Sequence, residues 1–409
     1  MNFYRSSTGG GGVSKDAFAV RVGSNYYGGD MSGALAGNIN LNSKIIIGRN
    51  VTNCKESLKS CSNLNQPVII DENSVNETRF VDCSSMMEGC AKYNAPFNAS
   101  NKFIINNAFR MFYQCSQLGG DIALSITNDT NLCNMFTFCS NLKGNINIQV
   151  QHGGNLNIDG SRAFMSCYNL VDNVYIPEVY NGATMFAFCN NLISVNVSVV
   201  DEASQMFENC QKFNSPVNIG ENLNGATRMF MDCHVFNSPV NGTFRKMCYD
   251  AFHNCYYFNQ PVNIDYPNAY NMHRMFENCY RLNQSFFVNT GPSGSRSSMF
   301  ANCNGLNVPM ITNGSINSQY MFDNCANLQL VKLYNVDYSR KSNFYRMFVN
   351  KNKSRLLNIC LNLINTDSSH LLEMAEYMLD SGSLAWTQTS DYYYNSAWNV
   401  RVTPITQQM

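Results

Sequence analysis

The residues best suited to chemistry in this chain are its 17 cysteines and its five histidines. Thiolates and imidazoles are the usual zinc ligands and are common partners in nucleophilic catalysis. The spacing argues against both uses, because no two cysteines are separated as in a C-x-x-C zinc motif and no G-x-S-x-G nucleophile motif occurs. The histidines are also unrelated in position (His152, His234, His253, His273 and His370). We therefore expect no metal, no cofactor and no enzymatic activity.

Disulfide chemistry is also disfavoured. The number of cysteines is odd, and the polar, glycine-rich start of the chain does not resemble a secretory signal peptide, so a complete disulfide framework is not expected. Four cysteines precede another by six or seven residues, for example Cys54 before Cys61. Two turns of an intact helix would separate such a pair by roughly 10 Å, too far for a disulfide.

Twelve of the cysteines instead mark an internal repeat of 21 to 29 residues. Its consensus is M-F-x-x-C-x-x-L/F-N-x-P-V-N-I, and a clear copy runs from Met206 to Ile219. One cysteine at a constant position in each repeat is expected to point inward as a small, well-packing side chain. We call these the ladder cysteines: Cys61, Cys90, Cys115, Cys139, Cys167, Cys189, Cys210, Cys233, Cys255, Cys279, Cys303 and Cys325.

Each repeat predicts two elements. Apolar residues at i, i+1, i+4 and i+7 around the cysteine favour a short helix, which the following proline would end, and Val-Asn-Ile then favours a short strand. A thirteenth copy has Lys351 in place of the cysteine. About 13 such units predict an α/β repeat fold, a right-handed leucine-rich-repeat solenoid with a single parallel sheet.

The motif resembles the BspA-type leucine-rich repeats, especially the variant with M-F-x-x-A/C-x-x-F-N-x-P-L/V that is found in many bacterial surface proteins. The resemblance covers about residues 46–351. It implies the solenoid architecture strongly and the function only broadly, because members of that family are mostly adhesion or protein-binding modules.

The repeats divide the chain into three predicted regions. Residues 1–45 form a glycine-rich N-terminal arm or cap, residues 46–353 form the solenoid, and residues 354–409 form a C-terminal helical and aromatic-rich cap. Whether the N-terminal region caps the first repeat or docks on a neighbouring subunit stays open at this point. The C-terminal region is expected to cover the end of the solenoid, with a docking surface as the alternative.

One row of strand residues is the candidate binding face, because solenoids bind through their exposed sheet. The row is rich in asparagine, and it could equally be a structural ladder of amide hydrogen bonds. Two aromatic residues interrupt the row and are the first candidates for contact residues. The candidate residues are Asn147, Tyr175, Asn196, Asn218, Asn241, Asn263 and Phe287.

The amino-acid composition narrows the classes of partner that the protein could bind. The 28 basic and 28 acidic residues cancel, and charged residues are only 14% of the chain, which disfavours nucleic-acid binding. No apolar run is long enough for membrane insertion. We expect a structural and recognition protein, a bacteriophage virion component such as a decoration, fibre or tail protein. Its partners would be other virion proteins, copies of itself, or a host-surface protein or glycan. The alternatives are a BspA-like bacterial surface adhesin and a cytoplasmic protein-binding scaffold.

Overall fold

The computed structural model of the chain describes residues 20–22, 25–27, 29–48, 51–70, 78–99, 102–151, 154, 156–221, 223–265, 268–288, 294–313 and 317–405. The chain divides into two compact units, Met1–Asn218 and Ile219–Met409. Both units are built from windings of a β-solenoid, about 12 in all. Each winding, here called a coil, carries one copy of the repeat. The repeat solenoid predicted from the sequence is therefore confirmed at this level.

The first unit is made of short, mostly parallel strands. Parallel pairing runs through β5, β7, β8, β9 and β10, and β3 pairs with β4 in the same way, whereas β1 and β2 form an antiparallel ribbon beside β3. The strands are β1 Val20–Val22, β2 Asn25–Tyr27, β3 Ile45–Ile47, β4 Val68–Ile70, β5 Arg79–Asp82, β6 Phe97–Asn98, β7 Phe103–Asn107, β8 Ile122–Asn131, β9 Ile146–Val150, β10 Val174–Tyr175, β11 Val179–Asn181 and β12 Ser198–Glu202.

The second unit ends in a mixed sheet. Strands β15 to β18 and then β21 are parallel neighbours, and β21, β20 and β19 continue the sheet as an antiparallel ribbon. The unit boundary falls within β13, Val217–Ile219. The other elements are β14 Val240–Asn241, β15 Phe287–Val288, β16 Met310–Asn313, β17 Leu330–Asp337, β18 Leu357–Ile364, α1 Leu371–Leu379, β19 Thr387–Gln388, β20 Tyr393–Asn395 and β21 Val400–Pro404, with 3₁₀ helices at Tyr338–Phe344 and Ser368–His370.

The prediction of a short helix in every repeat is wrong. The six residues before each ladder cysteine, here called the corner, form consecutive β-turns rather than a helix. Within a corner the bonds span three residues, as in Tyr113 N–H to Arg110 O at 3.1 Å. An α-helix is about 10 Å wide, so helices placed one per coil require the helix side to be longer than the strand side, whereas turns stack at the 4.8 Å spacing of the strands. The structure also distributes its strands over several sheets instead of one, and its handedness stays a prediction.

Alternate backbone amides in the corners join one coil to the next. The N–H groups of Arg110, Phe112 and Gln114 donate to carbonyl oxygens of the following corner at 3.1, 2.9 and 2.9 Å. This is the pairing of parallel strands carried through a chain of turns, and it satisfies donors that a buried loop would otherwise leave unpaired. The corners are therefore as regular as the strands.

This pairing requires a left-handed backbone twice in each corner. The residue directly before each ladder cysteine and the residue four positions earlier have positive φ, for example 61° at Gln114 and 54° at Arg110. Such a conformation costs a non-glycine residue roughly 1–2 kcal/mol, and asparagine tolerates it best among residues with a side chain. Asparagine fills six of these left-handed corner positions: Asn134, Asn209, Asn254, Asn278, Asn302 and Asn324.

Asparagines at these left-handed positions form a ladder in the second unit, which we call the corner ladder: Asn254, Asn278, Asn302 and Asn324. The Nδ2 group of Asn278 donates to Oδ1 of Asn254 at 2.7 Å, and its own Oδ1 accepts from Asn302 at 2.7 Å. An amide ladder of the kind considered for the strand row thus exists at the corner of the second unit.

Stacked phenylalanines fill the centre of both units. Phe136 and Phe164 lie 5.1 Å apart between ring centroids, and Phe164 and Phe186 lie 5.2 Å apart with nearly parallel planes. In the second unit the stack continues from Phe300 to Phe348 at 5.6 Å per coil. Each ring is buried, so the stack combines hydrophobic burial with a repeated aromatic contact.

The end of the second unit is closed by α1. The last corner has no following corner, and its Arg346 and Phe348 amides donate instead to the Tyr377 and Met378 carbonyls at 3.4 and 3.0 Å. These carbonyls belong to the last turn of the helix, where the Tyr377 oxygen also accepts from the Asp380 N–H at 3.3 Å. The helix end thus supplies acceptors to amides of the last corner. Asp380, just after the helix, also pairs with Arg346 at 2.6 Å.

The corner ladder yields a stability prediction. We expect Asn278→Ala to destabilise the second unit by about 1–3 kcal/mol, because it removes two amide hydrogen bonds and leaves an alanine at positive φ. Asn278→Gly removes the same bonds but relieves the backbone, so its loss should be smaller. Urea unfolding of both variants checks the order. A glycine variant no more stable than the alanine variant would show that φ does not govern this position.

Candidate functional site

The structure places part of the predicted binding row in one register on the first unit. Asn147 pairs with Tyr175 across β9 and β10, and Tyr175 pairs in turn with Asn196. Ala123 precedes Asn147 in the same row. Tyr175 is the most prominent member, with 54% of its surface exposed, and Asn196 is also exposed. These three predicted residues therefore form a continuous strip across adjacent coils.

The other predicted residues occupy equivalent places. Asn218 is exposed at the end of the first unit, and Asn241 and Asn263 are exposed in the second. The backbone of Phe287 pairs with Ile311, but its side chain lies outside what the structure describes. The row runs through two separate compact units. The strip Asn147–Tyr175–Asn196 lies within the first unit and has a continuous register, so we treat it as the candidate site.

The chemistry of the strip is neutral and polar with one aromatic ring. Amide groups donate and accept hydrogen bonds, and the Tyr175 side chain adds apolar area with a polar tip. The inward neighbours of the strip are apolar and buried, as with Ile146, Val174 and Val195. The alternation fixes the direction of the row, so the outward side chains stand on a rigid support. Such a strip suits reversible binding of another macromolecule.

The ladder cysteines form a regular structural element. Cys139 Sγ donates to the Phe112 carbonyl of the preceding coil at 3.0 Å, and Cys167 donates to Phe136 at 3.1 Å. The same carbonyls accept the backbone amides of the residues three positions later, such as Cys115 to Phe112 at 3.1 Å. The contact recurs in the second unit from Cys255 to Cys325. A thiol is small enough to pack and still supplies a weak donor.

Burial makes these thiols chemically unreactive. It raises the pKa of Cys90 and of Cys189 to about 12, and neighbouring thiols of the ladder raise the pKa of Cys115 further. The thiolate is the nucleophile and the metal ligand, so a thiol that stays protonated performs neither role. All 17 cysteines are free of disulfides in the structure.

Sequence reasoning missed one cysteine pairing. It compared Cys54 with Cys61 along the chain, but the structure brings Cys54 next to Cys83, which occupies the same position in the following coil. The two thiols hydrogen-bond, and burial raises the pKa of Cys83. The sequence does contain a signal for this contact, because Cys54 and Cys83 each lie seven residues before a ladder cysteine. Cys133 differs from these, because it is half-buried and accepts from Asn134.

Three histidines of the second unit have unrelated surroundings, and His152 lies outside the described residues. His234 stacks on Tyr256 at 4.6 Å, His253 lies 3.3 Å from the Glu277 carboxylate, and His273 contacts the Ser297 carbonyl at 3.0 Å. Within the described part of the chain, no group of three or more potential ligand side chains is placed to hold a metal ion. The same residues include no helix with the length and apolar character needed to cross a membrane.

Comparison with known proteins identifies one family model. Residues 30–149, 162–245, 221–314 and 246–359 match the model described as "Mycoplasma protein of unknown function, DUF285". These segments cover more than half of the chain. No curated protein and no solved structure matches the chain.

The raised thiol pKa values predict sensitivity to alkali. Unfolded thiols ionise near pH 8.5, whereas Cys189 stays protonated in the folded unit up to about pH 12. Its contribution to stability is therefore complete below pH 8.5 and falls by about 1.4 kcal/mol per pH unit above it. Other groups titrate in this range, so the comparison must be made with a matched variant.

We expect Cys189→Ala to be less stable than the wild type at pH 7.5, because it loses packing and the bond to the Phe164 carbonyl at 3.0 Å. The difference should shrink as the pH rises from 8.5 to 10, since the variant lacks the ionising thiol. Urea unfolding at several pH values measures it. A difference in unfolding free energy between the two proteins that stays constant across this pH range would contradict the raised pKa of Cys189.

Proposed function

We propose, from the premise that the chain belongs to the DUF285 family of Mycoplasma proteins of unknown function, that it is a non-enzymatic recognition protein. Its working surface is the strip Asn147–Tyr175–Asn196. The observation that carries the proposal is the register of this strip, which places an exposed tyrosine between two asparagines on successive coils. The partner is a protein or glycan that contacts the amides and the ring together.

Two biological settings are compatible with binding through this strip. As a virion component the protein would join other particle proteins or copies of itself, and as a surface adhesin it would contact another cell. The family description names a bacterial genus, which favours the bacterial setting over the viral one. A right-handed winding and a relationship to the BspA-type leucine-rich repeats are part of the same proposal and rest on the repeat motif.

The proposal is tested by measuring whether the protein still attaches to its partner structure when the strip is mutated. We expect Tyr175→Ala with Asn196→Ala to lower immunogold labelling of the structure that carries the protein at least tenfold. Both side chains are exposed, so the variant should unfold at nearly the wild-type temperature. Tyr257→Ala is the matched control, because this tyrosine is 47% exposed in the turn that follows Cys255 in the second unit.

The location of the label separates the settings. Gold on virus-like particles supports the virion component, and gold on cell envelopes supports the adhesin. Label confined to the cytoplasm contradicts both settings and leaves the scaffold. Equal labelling by the double variant and the wild type would exclude the strip as the working surface.

A further inference from the structure

Three consecutive coils of the second unit carry large side chains where most other coils carry small or polar ones. The two residues after a ladder cysteine lie on a turn, and in most coils they are serine, alanine, asparagine, glutamine or lysine. After Cys233, Cys255 and Cys279 they are instead His-Val, Tyr-Tyr and Tyr-Arg. We call these six residues the turn patch: His234, Val235, Tyr256, Tyr257, Tyr280 and Arg281.

The second turn position has a structural use in other coils that the patch gives up. Asparagine is the commonest residue there, and the Nδ2 group of Asn191 donates to the Tyr168 carbonyl of the preceding coil at 2.9 Å. Val235 has no donor in its side chain, and the Arg281 side chain lies over the ring of Tyr257 instead. The three coils therefore lack a contact between coils and present larger side chains in its place.

The rings at the first turn position are stacked along the solenoid. His234 and Tyr256 lie 4.6 Å apart between ring centroids, and Tyr256 and Tyr280 lie 5.2 Å apart, with both pairs of planes within 17° of parallel. The row spans two coil spacings, about 10 Å. Because each ring is held by its neighbour, the row is ordered before any ligand arrives, which lowers the entropy cost of binding.

Arg281 stands beside this row with an uncompensated charge. Its guanidinium lies 4.6 Å from the centre of the Tyr257 ring. Among the described residues no carboxylate pairs with it, in contrast to Arg274, which pairs with Asp250 at 2.9 Å. The next residue in the same column is Gly305, which has no side chain to cover the guanidinium. The patch therefore offers a positive charge that the protein does not neutralise locally.

The patch is open to solvent. Tyr257 and Tyr280 are 47% and 43% exposed, and Val235 is 40% exposed. Arg281 is exposed as well. The hydroxyl groups of Tyr257 and Tyr280 have no hydrogen-bond partner within the part of the chain that the structure describes. Apolar ring surface thus lies next to phenol groups that can donate and accept hydrogen bonds.

We propose that the turn patch binds a glycan that carries a carboxylate, such as a uronic acid. Arg281 would receive the carboxylate, because a guanidinium offers two parallel N–H groups to the two oxygens. The face of the sugar ring on which C–H bonds point outward would lie on the tyrosine rings. The sugar hydroxyls would bond to the phenol groups of Tyr257 and Tyr280.

The size of the patch favours a sugar over a protein surface. An aromatic side chain offers roughly 200 Å², so Tyr257 and Tyr280 together present about 180 Å². A stable protein interface needs about 800 Å² on each partner. The patch is therefore too small to hold a protein by itself, whereas a row of about 10 Å suits one or two sugar rings. The patch lies in the second unit and does not depend on the strip Asn147–Tyr175–Asn196 of the first.

The test is a saturation-transfer NMR titration of the full chain with methyl β-D-glucuronide. We expect millimolar binding to the wild type, and about fivefold weaker binding of methyl β-D-glucoside, which has the same ring without the carboxylate. Arg281→Asn should lower the affinity for the glucuronide to that for the glucoside. The variant should fold normally, because asparagine is the commonest residue at this position. Arg355→Asn, at an exposed arginine elsewhere in the second unit, is the matched control and should leave both affinities unchanged.

A second variant tests the rings. Tyr280→Asn should weaken both sugars at least fivefold, and the fold should persist because Asn190 and Asn304 occupy the same position in other coils. N-acetyl-glutamate, a carboxylate without a sugar ring, should bind more weakly than the glucuronide. Equal binding of N-acetyl-glutamate would overturn the proposal in favour of an acidic peptide. A wild type that binds no glucuronide, or undiminished binding by Arg281→Asn, would overturn it outright.

The patch and the strip can be told apart by one pair of variants. Tyr257→Ala should weaken the glucuronide, because Arg281 loses the ring that supports it, while attachment through the strip stays unchanged. Tyr175→Ala should leave the glucuronide affinity at the wild-type value. Weaker glucuronide binding by Tyr175→Ala would contradict a separate site in the second unit.

Discussion

The fold depends on hydrogen bonds that join each corner to the next at the spacing of β-strands. Because alternate amides such as those of Phe112 and Gln114 point to the following coil, the corner cannot wind into a helix. The same requirement places two residues of every corner in the left-handed region. It also makes the side chains at a given position lie above one another, which turns a sequence repeat into rows of phenylalanine, cysteine and asparagine.

The choice of cysteine follows from the same constraint. The ladder position is buried and faces a carbonyl of the preceding coil, so it needs a small side chain that can also donate weakly. Alanine would pack without donating, and serine would place a more strongly hydrated hydroxyl in an apolar interior. Protonated thiols meet both requirements, and their raised pKa values keep them in that form. Cysteine, a chemically reactive residue type, is thus used here for its small side chain and for the thiol proton that it donates.

The repeat, the buried cysteine positions and the outward direction of Tyr175 could all be predicted from the sequence, because they depend on spacing and alternation. The helix could not be excluded in this way. Met-Phe-x-x-Cys-x-x-Leu satisfies a helical apolar pattern, and the signal against it is the residue before each cysteine, which is often asparagine or glycine. The Cys54–Cys83 contact and the helix α1 that closes the last coil depend on neighbours in space, which sequence spacing alone does not specify.

A repeat protein provides its own comparison, because each position is filled about a dozen times under the same backbone constraint. Where most coils agree, as at the buried phenylalanines, the agreement reflects packing and says little about function. Where one coil departs from the others, the departure has a local cause. At Lys351 the cause is the end of the solenoid, since its ammonium group donates to the Trp398 carbonyl at 2.6 Å, in the segment beside the last coil. At Phe138 the ring meets Tyr113 of the preceding corner edge to face, with 5.8 Å between the ring centroids.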